Sequence, residues 1–233
     1  MRVPVALAWS GGKDSSLALA ALQNDPAFEP VALVTTVTGD YDRISMHGVR
    51  RNILEAQVRQ LRLPLVEATI PPAASNAIYE EAFAAALNSL RLMHPDLRHL
   101  AFGDLFLADV RSYRERLLNP LGWTPVFPLW GRDTGRLARE FISQGFRAIL
   151  TCVDATQLGP EFVGREFDEE LLADLPESVD PCGERGEFHT CVYDGPIFRQ
   201  PLLLERGERV RRDNRFEYCD LTLTGSAAVI QPD

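Results

Sequence analysis

The sequence predicts an α/β protein built on a doubly wound parallel sheet. Short apolar segments alternate with longer segments of helical periodicity through the first half of the chain, which is typical of such sheets. A glycine-rich turn joins the first apolar segment to the first helical one. At 233 residues the chain is long enough to bury a full core, as one large domain or as two smaller ones.

The first strand and the first helix are predicted on either side of a polar turn. Residues 5–8 form an apolar run typical of a buried parallel strand, and residues 17–22 are strong helix formers. The turn reads SGGKDSS, so its glycines let backbone amides approach an anion, which the helix N-terminus also attracts. Asp14 could cap the helix or hold Mg²⁺. We therefore predict a phosphate-binding loop that comprises Ser10, Gly11, Gly12, Lys13, Asp14 and Ser15.

This loop differs from a Walker A motif at two positions. That motif needs glycine where Leu7 stands and serine or threonine where Asp14 stands. The run SGGKDS instead resembles the pyrophosphate-binding loop of the N-type ATP pyrophosphatases, in the adenine nucleotide alpha hydrolase superfamily. The resemblance implies attack at the α-phosphate of ATP, an adenylated substrate and the release of pyrophosphate. An ordinary Gly-Gly turn is the alternative interpretation.

The following segments continue the alternation of strands and helices. We predict strands at residues 30–37, 63–68 and 99–102, and helices over residues 49–63, 76–92 and 108–119. Residues 125–132 are predicted as a short strand or turn. We place the domain boundary there, which divides the chain into residues 1–130 and 131–233.

The second half is predicted to mix helices and strands. Asp133 or Thr134 caps a helix that Gly145 ends. A hairpin with its turn at residues 194–196 is predicted after a polar loop. The predicted elements are helices to residue 144 and over 169–175, and strands at 146–154, 191–193, 197–204, 209–212 and 216–224.

Polar residues near the predicted strand ends are candidate site residues. Gly103 and Asp104 follow the fourth strand, at the edge where open α/β sheets bind ligands, although Gly-Asp is also a common turn. His47 stands at a predicted helix N-terminus, either as a nucleotide contact or as a cap. A glycine-flanked loop carries Glu184 and Glu187, which is typical of a substrate site or of a simple polar connection.

Basic residues mark the predicted helix over residues 108–119. Arg114 is one of several that could clamp phosphates or an acidic substrate. Arg111 and Glu115 have the i, i+4 spacing of a solvated helix face, and on the residues alone that interpretation is favoured.

Charge and composition exclude several functional classes. A net charge of −9 argues against binding nucleic acid and favours small-molecule substrates. Of the 24 basic residues only Lys13 is a lysine, which indicates a GC-rich genome and draws attention to the loop. The four cysteines form no CxxC pair, so neither a zinc knuckle nor a redox motif is expected. Without a long apolar run or a signal peptide, the sequence predicts a cytoplasmic protein with no membrane contact.

Seven landmarks along the chain together resemble one family, the ATP-binding proteins related to diphthine–ammonia ligase. The resemblance extends from residue 5 to about residue 220, and its most specific parts are the PLWGRD and GERGEFHT stretches. The landmarks read SGGKDS (10–15), SMHGVRRNILEAQ (45–57), FGD (102–104), YRER (113–116), PLWGRD (128–133), GR (164–165) and DPCGERGEFHTCVYDGPIF (180–198).

The resemblance implies an adenine nucleotide alpha hydrolase-like first domain and a smaller C-terminal α+β domain that closes over the site. It implies ATP phosphates on the loop and adenine against the apolar strand end near Thr35, and Mg²⁺ is the expected partner of Asp14. Catalytic roles are thereby predicted for Lys13, Asp104, Arg114, Glu184 and Glu187. Nucleotide contacts are predicted at the loop residues, Thr35, His47, Gly103, Arg132 and Arg165.

The implied activity is an ATP-dependent ligase, which adenylates a carboxylate and amidates it with ammonia or another nitrogen donor. Two alternatives are a nucleotide sensor without turnover and a tRNA-thiolating pyrophosphatase. Thiolation is disfavoured because it needs a sulfur-carrying cysteine pair, and because the net charge suits tRNA poorly. The acceptor, the nitrogen donor and the oligomeric state, a homodimer included, are left open.

Overall fold

The computed structural model describes residues 2–39, 43–44 and 48–224. Its first sheet confirms the predicted fold class. Five parallel strands lie in the order β4-β2-β1-β5-β6, and a two-residue strand, β3, pairs antiparallel with the end of β2. The strands are β1 (Val3–Ala8), β2 (Phe28–Thr38), β3 (Arg43–Ile44), β4 (Leu65–Ile70), β5 (His99–Ala101) and β6 (Thr124–Val126).

Helices cover both faces of this sheet, as a doubly wound fold requires. Val5 and Leu7 of β1 belong to a core cluster that includes residues of the first two helices, whereas Ala6 belongs to a second cluster with the third and fourth. This division follows from the alternation of side chains along a strand. The four helices are α1 (Lys13–Asn24), α2 (Arg51–Leu61), α3 (Asn76–Met93) and α4 (Ala108–Leu118).

The C-terminal part forms a separate antiparallel sheet of four strands in the order β8-β7-β10-β9. The predicted boundary at residue 130 falls between the two sheets and stays a prediction. No helix in the described ranges is long and apolar enough to span a membrane. The elements here are α5 (Thr134–Ser143), β7 (Arg147–Asp154), α6 (Glu169–Asp174), β8 (Phe188–Asp194), β9 (Leu204–Arg212) and β10 (Phe216–Leu223).

The hairpin predicted around residues 194–196 is wrong. β8 pairs with β7 rather than with the segment that follows it, and residues 197–203 form no strand. The apolar side chains that suggested a strand, Ile197, Phe198 and Leu202, instead enter the core from an irregular segment. Pro196 precedes that segment and Pro201 lies within it; neither can donate a ladder hydrogen bond, which disfavours a paired strand there.

Candidate nucleotide-binding site

A cleft of about 600 Å³ opens at the carboxyl ends of β1, β2 and β5. The sheet order reverses direction between β1 and β5, and open α/β sheets bind ligands at such a point. The volume is within the usual range of small-molecule sites. The predicted site residues that line the cleft are Ser10, Gly12, Lys13, Asp14, Ser15, Thr35, Gly103, Asp104, Arg114 and Glu184.

The predicted phosphate loop lies between β1 and α1 and is held partly by its own hydrogen bonds. Gly11 adopts a φ of +76°, a conformation that favours glycine. The Ser10 hydroxyl accepts a hydrogen bond from the Gly12 N–H at 3.3 Å. Ser15 and Ser16 each donate a hydroxyl hydrogen bond to the Gly12 carbonyl at 2.9 Å. The sequence therefore folds the loop back on itself at the start of the helix.

The second sheet also holds this loop. The Val192 N–H donates to the Gly11 carbonyl at 2.8 Å, and Thr190 Oγ1 accepts the Lys13 N–H at 3.0 Å. Both partners belong to β8, so the cleft is assembled from both halves of the chain. Neither contact was predicted, because nothing local in the sequence relates residues so far apart.

Lys13 and Asp14 form an ion pair at the start of α1. Lys13 Nζ lies 2.7 Å from Asp14 Oδ1 and 2.8 Å from Oδ2, and only 2% of the lysine side chain is exposed. Burial alone would lower the pKa of Lys13, but the Asp14 carboxylate raises it above its ordinary value. The loop therefore keeps a positive charge in a shielded position.

Gln57 of α2 is a site residue that sequence reasoning missed. Its buried amide Nε2 donates to the Gly11 carbonyl at 3.0 Å and to the Val192 carbonyl at 2.7 Å. Its Oε1 accepts a hydrogen bond from Trp9 Nε1 at 3.2 Å. One sequence signal could have identified it: Gln57 stands four positions after Ile53, so it is a polar residue on the apolar face of the helix.

We expect Gln57→Leu to lower the free energy of unfolding by about 2 kcal/mol or more, because it leaves buried polar groups without partners. The substitution also removes the contact with Gly11 in the predicted phosphate loop, so the affinity for nucleotide should fall. Gln60→Leu, one turn further along the same helix, is the matched control because, among the described residues, Gln60 accepts one exposed hydrogen bond, from the Gln200 N–H. Urea unfolding of both variants checks this, and equal losses would contradict the role of Gln57.

Gly103 allows the loop after β5 to contact the start of α1. A Cβ at this position would lie 2.8 Å from the carbonyl carbon of Asp14 and 3.0 Å from the Ser15 nitrogen. Because these are backbone atoms, a larger residue would push the two loops apart. Asp104, the next residue, forms an ion pair with Arg114 of α4, with Oδ2 3.5 Å from Nε.

Glu184 reaches the same cleft from the loop before β8. Its Oε1 accepts hydrogen bonds from the Leu105 N–H at 2.8 Å and the Phe106 N–H at 3.4 Å. Burial raises the pKa of Glu184 to about 7, although the two N–H donors and Lys13 oppose the shift. Glu184 can therefore exchange a proton near neutral pH.

Glu187 lies in the same loop but does not line the cleft. It is 1% exposed, and its two oxygens accept the Asp180 and Arg185 N–H groups, both at 2.9 Å. The two acids thus differ in position: Glu184 lines the cleft, whereas Glu187 binds backbone N–H groups of its own loop.

Two other predicted site residues, and Gly11 of the loop, are not among the residues that line the cleft. Arg132 pairs with Glu140 at 2.5 Å, and Arg165 pairs with Asp174 at 2.8 Å; neither lines the cleft. His47 lies outside the described residues.

His189 of β8 lines the cleft without having been predicted. Burial, together with the nearby Lys13 charge, lowers its pKa to about 4, so the imidazole is neutral at physiological pH. Within the described ranges, no three His, Cys, Asp or Glu side chains are arranged to hold a metal ion. Asp14, the predicted Mg²⁺ ligand, is paired with Lys13, and its assignment to Mg²⁺ stays a prediction.

The chain is similar to diphthine–ammonia ligases of several organisms. The diphthine–ammonia ligase of Schizosaccharomyces pombe is 30% identical over 132 residues, which cover 55% of this chain and 22% of that protein. Those of Danio rerio and Homo sapiens are 37% and 33% identical over 110 residues, which cover 45% of this chain and 43% and 41% of those proteins. The matched stretch is thus less than half the length of each relative.

Family models match both halves of the chain. Residues 1–125 match the diphthamide synthase N-terminal domain, and residues 133–222 match the diphthamide synthase C-terminal domain. The first match includes the phosphate loop, Asp104 and Arg114, and the second includes Glu184 and β8. The chain therefore belongs to the diphthamide synthase family.

Proposed function

We propose that this protein is an AMP-forming ligase, which activates a carboxylate with ATP and converts it to an amide with ammonia. One observation carries the proposal: the buried Lys13 cation and the loop of Ser10 to Ser15 face a cleft that Asp104 and Glu184 also line. Under this proposal a phosphate site and proton-accepting groups share one cavity. The name of the relatives supports the same reaction type.

ATP is proposed to lie with its phosphates on this loop and its adenine toward Val34 and Thr35, at the carboxyl end of β2. Both residues line the cleft, and the apolar strand end suits a flat base. Loop amides, hydroxyls and Lys13 would then stabilise the charge of the departing pyrophosphate.

In the first step an oxygen of the acceptor carboxylate attacks the α-phosphorus. The bond from that phosphorus to the oxygen bridging to the β-phosphate breaks, and pyrophosphate leaves with the electron pair. In the second step the ammonia nitrogen attacks the acyl carbon, the bond to the AMP oxygen breaks, and AMP leaves. The nitrogen gives up one proton, for which Glu184, with a pKa of about 7, is a suitable acceptor.

Mg²⁺ would enter with the nucleotide. This ion usually takes one or two carboxylates together with phosphate oxygens and water, so Asp14 fits as a single protein ligand. When bound, Mg²⁺ would neutralise phosphate charge. Asp14 would have to share its carboxylate between the ion and Lys13, whose Nζ it contacts at 2.7 Å.

Product analysis tests the proposed reaction. With Mg²⁺, ammonium and an extract fraction that supplies the acceptor, we expect [α-³²P]ATP to yield AMP, with equimolar pyrophosphate, and little ADP. ADP as the main product would contradict the proposal. Tight binding of ATP without any turnover in all fractions would instead favour a nucleotide sensor.

Thiolation receives no support from the cysteines. All four are buried, and burial raises the pKa of Cys152 to about 11 and those of Cys182 and Cys191 to about 12. A sulfur carrier needs an accessible, easily ionised thiol.

A further inference from the structure

Asp104 and Arg114 form an ion pair that leaves hydrogen-bonding capacity on both side chains. Nε and Oδ2 face each other at 3.5 Å, and apart from this ion pair neither atom has a hydrogen-bond partner among the described residues, although both are shielded from solvent. Only three other side-chain atoms in the described ranges share that condition, and none of their residues lines the cleft. Buried polar groups are usually satisfied, so an unsatisfied pair inside a cleft points to a ligand.

The guanidinium of Arg114 is held in place from two sides. It lies over the Phe102 ring, 4.8 Å from the centroid, and its Nη1 donates to the Tyr79 hydroxyl at 3.4 Å. The side chain is 24% exposed, so one edge stays open to the cleft. A planar, fixed guanidinium of this kind suits a carboxylate, which it can bind through two parallel hydrogen bonds.

The ion pair also lies next to the phosphate loop. Gly103 lacks a side chain where the backbone of Asp14 passes, and Asp104 is the next residue after this contact. The other cleft cations are less suited to a carboxylate. Lys13 is paired with Asp14 and 2% exposed, and Arg185 is an exposed residue over the Phe106 ring.

We propose that this pair is the acceptor subsite, in which Arg114 binds the acceptor carboxylate and Asp104 accepts a hydrogen bond from ammonium or ammonia. The inference rests on the proposed function and assigns its two reactants to residues. Opposite charges at adjacent positions hold a carboxylate and a nitrogen nucleophile side by side. The loop beside them positions the α-phosphate within reach of the carboxylate.

Acetate is a suitable probe, because it carries a carboxylate and almost nothing else. We would titrate [1-¹³C]acetate into the protein saturated with α,β-methylene-ATP and follow its ¹³C resonance. Arg114→Gln should weaken acetate binding at least tenfold, as expected for the loss of a charge-assisted pair. Arg111→Gln is the matched control: it is on the same helix, pairs with Glu115 and does not line the cleft.

Two results would overturn the inference. One is acetate binding by Arg114→Gln equal to that of the unchanged protein. The other is loss of α,β-methylene-ATP binding in that variant, since Arg114 would then serve the nucleotide phosphates. If Arg114→Gln does not fold, Arg114→Lys keeps the charge without the two parallel donors and should still weaken acetate binding severalfold.

Asp104→Asn tests the nitrogen side in the same way. ¹⁵N relaxation of [¹⁵N]ammonium should report binding at least tenfold weaker than in the unchanged protein, with exposed Asp109→Asn as the control. Unchanged ammonium binding would overturn the assignment of Asp104. These measurements need no turnover, so a failed pyrophosphate assay would contradict the proposed function without deciding the subsite.

Discussion

Glu184→Gln should lower the rate of AMP formation by roughly 10²–10⁴-fold, the usual effect of losing a proton acceptor. Glutamine has the same shape, and its carbonyl oxygen can still accept the Leu105 N–H that Glu184 accepts at 2.8 Å. The fold and the affinity for ATP should therefore remain close to those of the unchanged protein. Steady-state kinetics and calorimetry with α,β-methylene-ATP measure the two quantities separately.

The pH profile provides a second readout. Because burial raises the pKa of Glu184 to about 7, the carboxylate forms only as the pH rises through that value. Turnover should therefore increase across pH 7 in the unchanged protein, and this ionisation should be missing in Glu184→Gln. For stability the sign is opposite. Between the ordinary pKa of 4.5 and the folded value of about 7, the folded state binds more protons than the unfolded state. The contribution of Glu184 to the free energy of unfolding therefore decreases as the pH rises through this range.

Glu187→Gln is the matched control within the same loop. Its two oxygens accept backbone N–H groups, and a glutamine amide would place an N–H group against one of those donors. We expect a loss of about 1–3 kcal/mol in the free energy of unfolding, while the pH profile of turnover keeps the Glu184 ionisation near pH 7.

Full activity of Glu184→Gln would mean that the loop is only a connection. Loss of ATP binding in that variant would place Glu184 in a metal or phosphate site.

Lys13→Met should weaken nucleotide binding roughly 10–100-fold, as expected for the loss of hydrogen bonds to a charged group. Methionine retains an unbranched apolar chain of similar length, so the core around the 2%-exposed side chain should survive. Calorimetry with α,β-methylene-ATP measures the affinity and thermal melting checks the fold. Unchanged affinity in a folded variant would contradict the phosphate-loop assignment.

Since Lys13 is the single lysine, biosynthetic labelling with [¹³Cε, ¹⁵Nζ]lysine gives one side-chain signal. The Cε shift should titrate above the ordinary pKa of 10.5, because the Asp14 carboxylate outweighs burial. Asp14→Asn removes the largest contribution that opposes burial, so the pKa of Lys13 should fall relative to the unchanged protein. Addition of α,β-methylene-ATP should shift this signal. No shift at saturating nucleotide would contradict contact between Lys13 and the phosphates.

Features with a local cause could be predicted from the sequence. The run from β1 through the glycine turn to α1 depends on neighbouring residues, and so does the Asp133 cap of α5, whose carboxylate accepts the Arg136 N–H at 2.8 Å. The grouping of Lys13 and Asp104 followed from topology, because the carboxyl ends of parallel strands share one edge of a sheet. These inferences needed no knowledge of distant contacts.

Features set by distant contacts could not be predicted. Gln57 interacts with Gly11 and Val192, which are 46 and 135 positions away in the chain. Glu184 and Glu187 share one glycine-rich loop, and only the tertiary structure places one at the cleft and turns the other inward. The predicted hairpin failed for the same reason, since burial of an apolar run in the core produces the same pattern as a strand.

The hydrogen bond from the Lys13 N–H to Thr190 has a consequence for biosynthesis. Its two residues are 177 positions apart, so a nascent chain makes the phosphate loop early but lacks its support until β8 has been synthesised. ATP should therefore bind only after β8 has been synthesised. Such a late, long-range closure is also expected to slow folding. Once bound, the nucleotide should stabilise both sheets together, so that they unfold in one transition whose midpoint rises with ATP concentration.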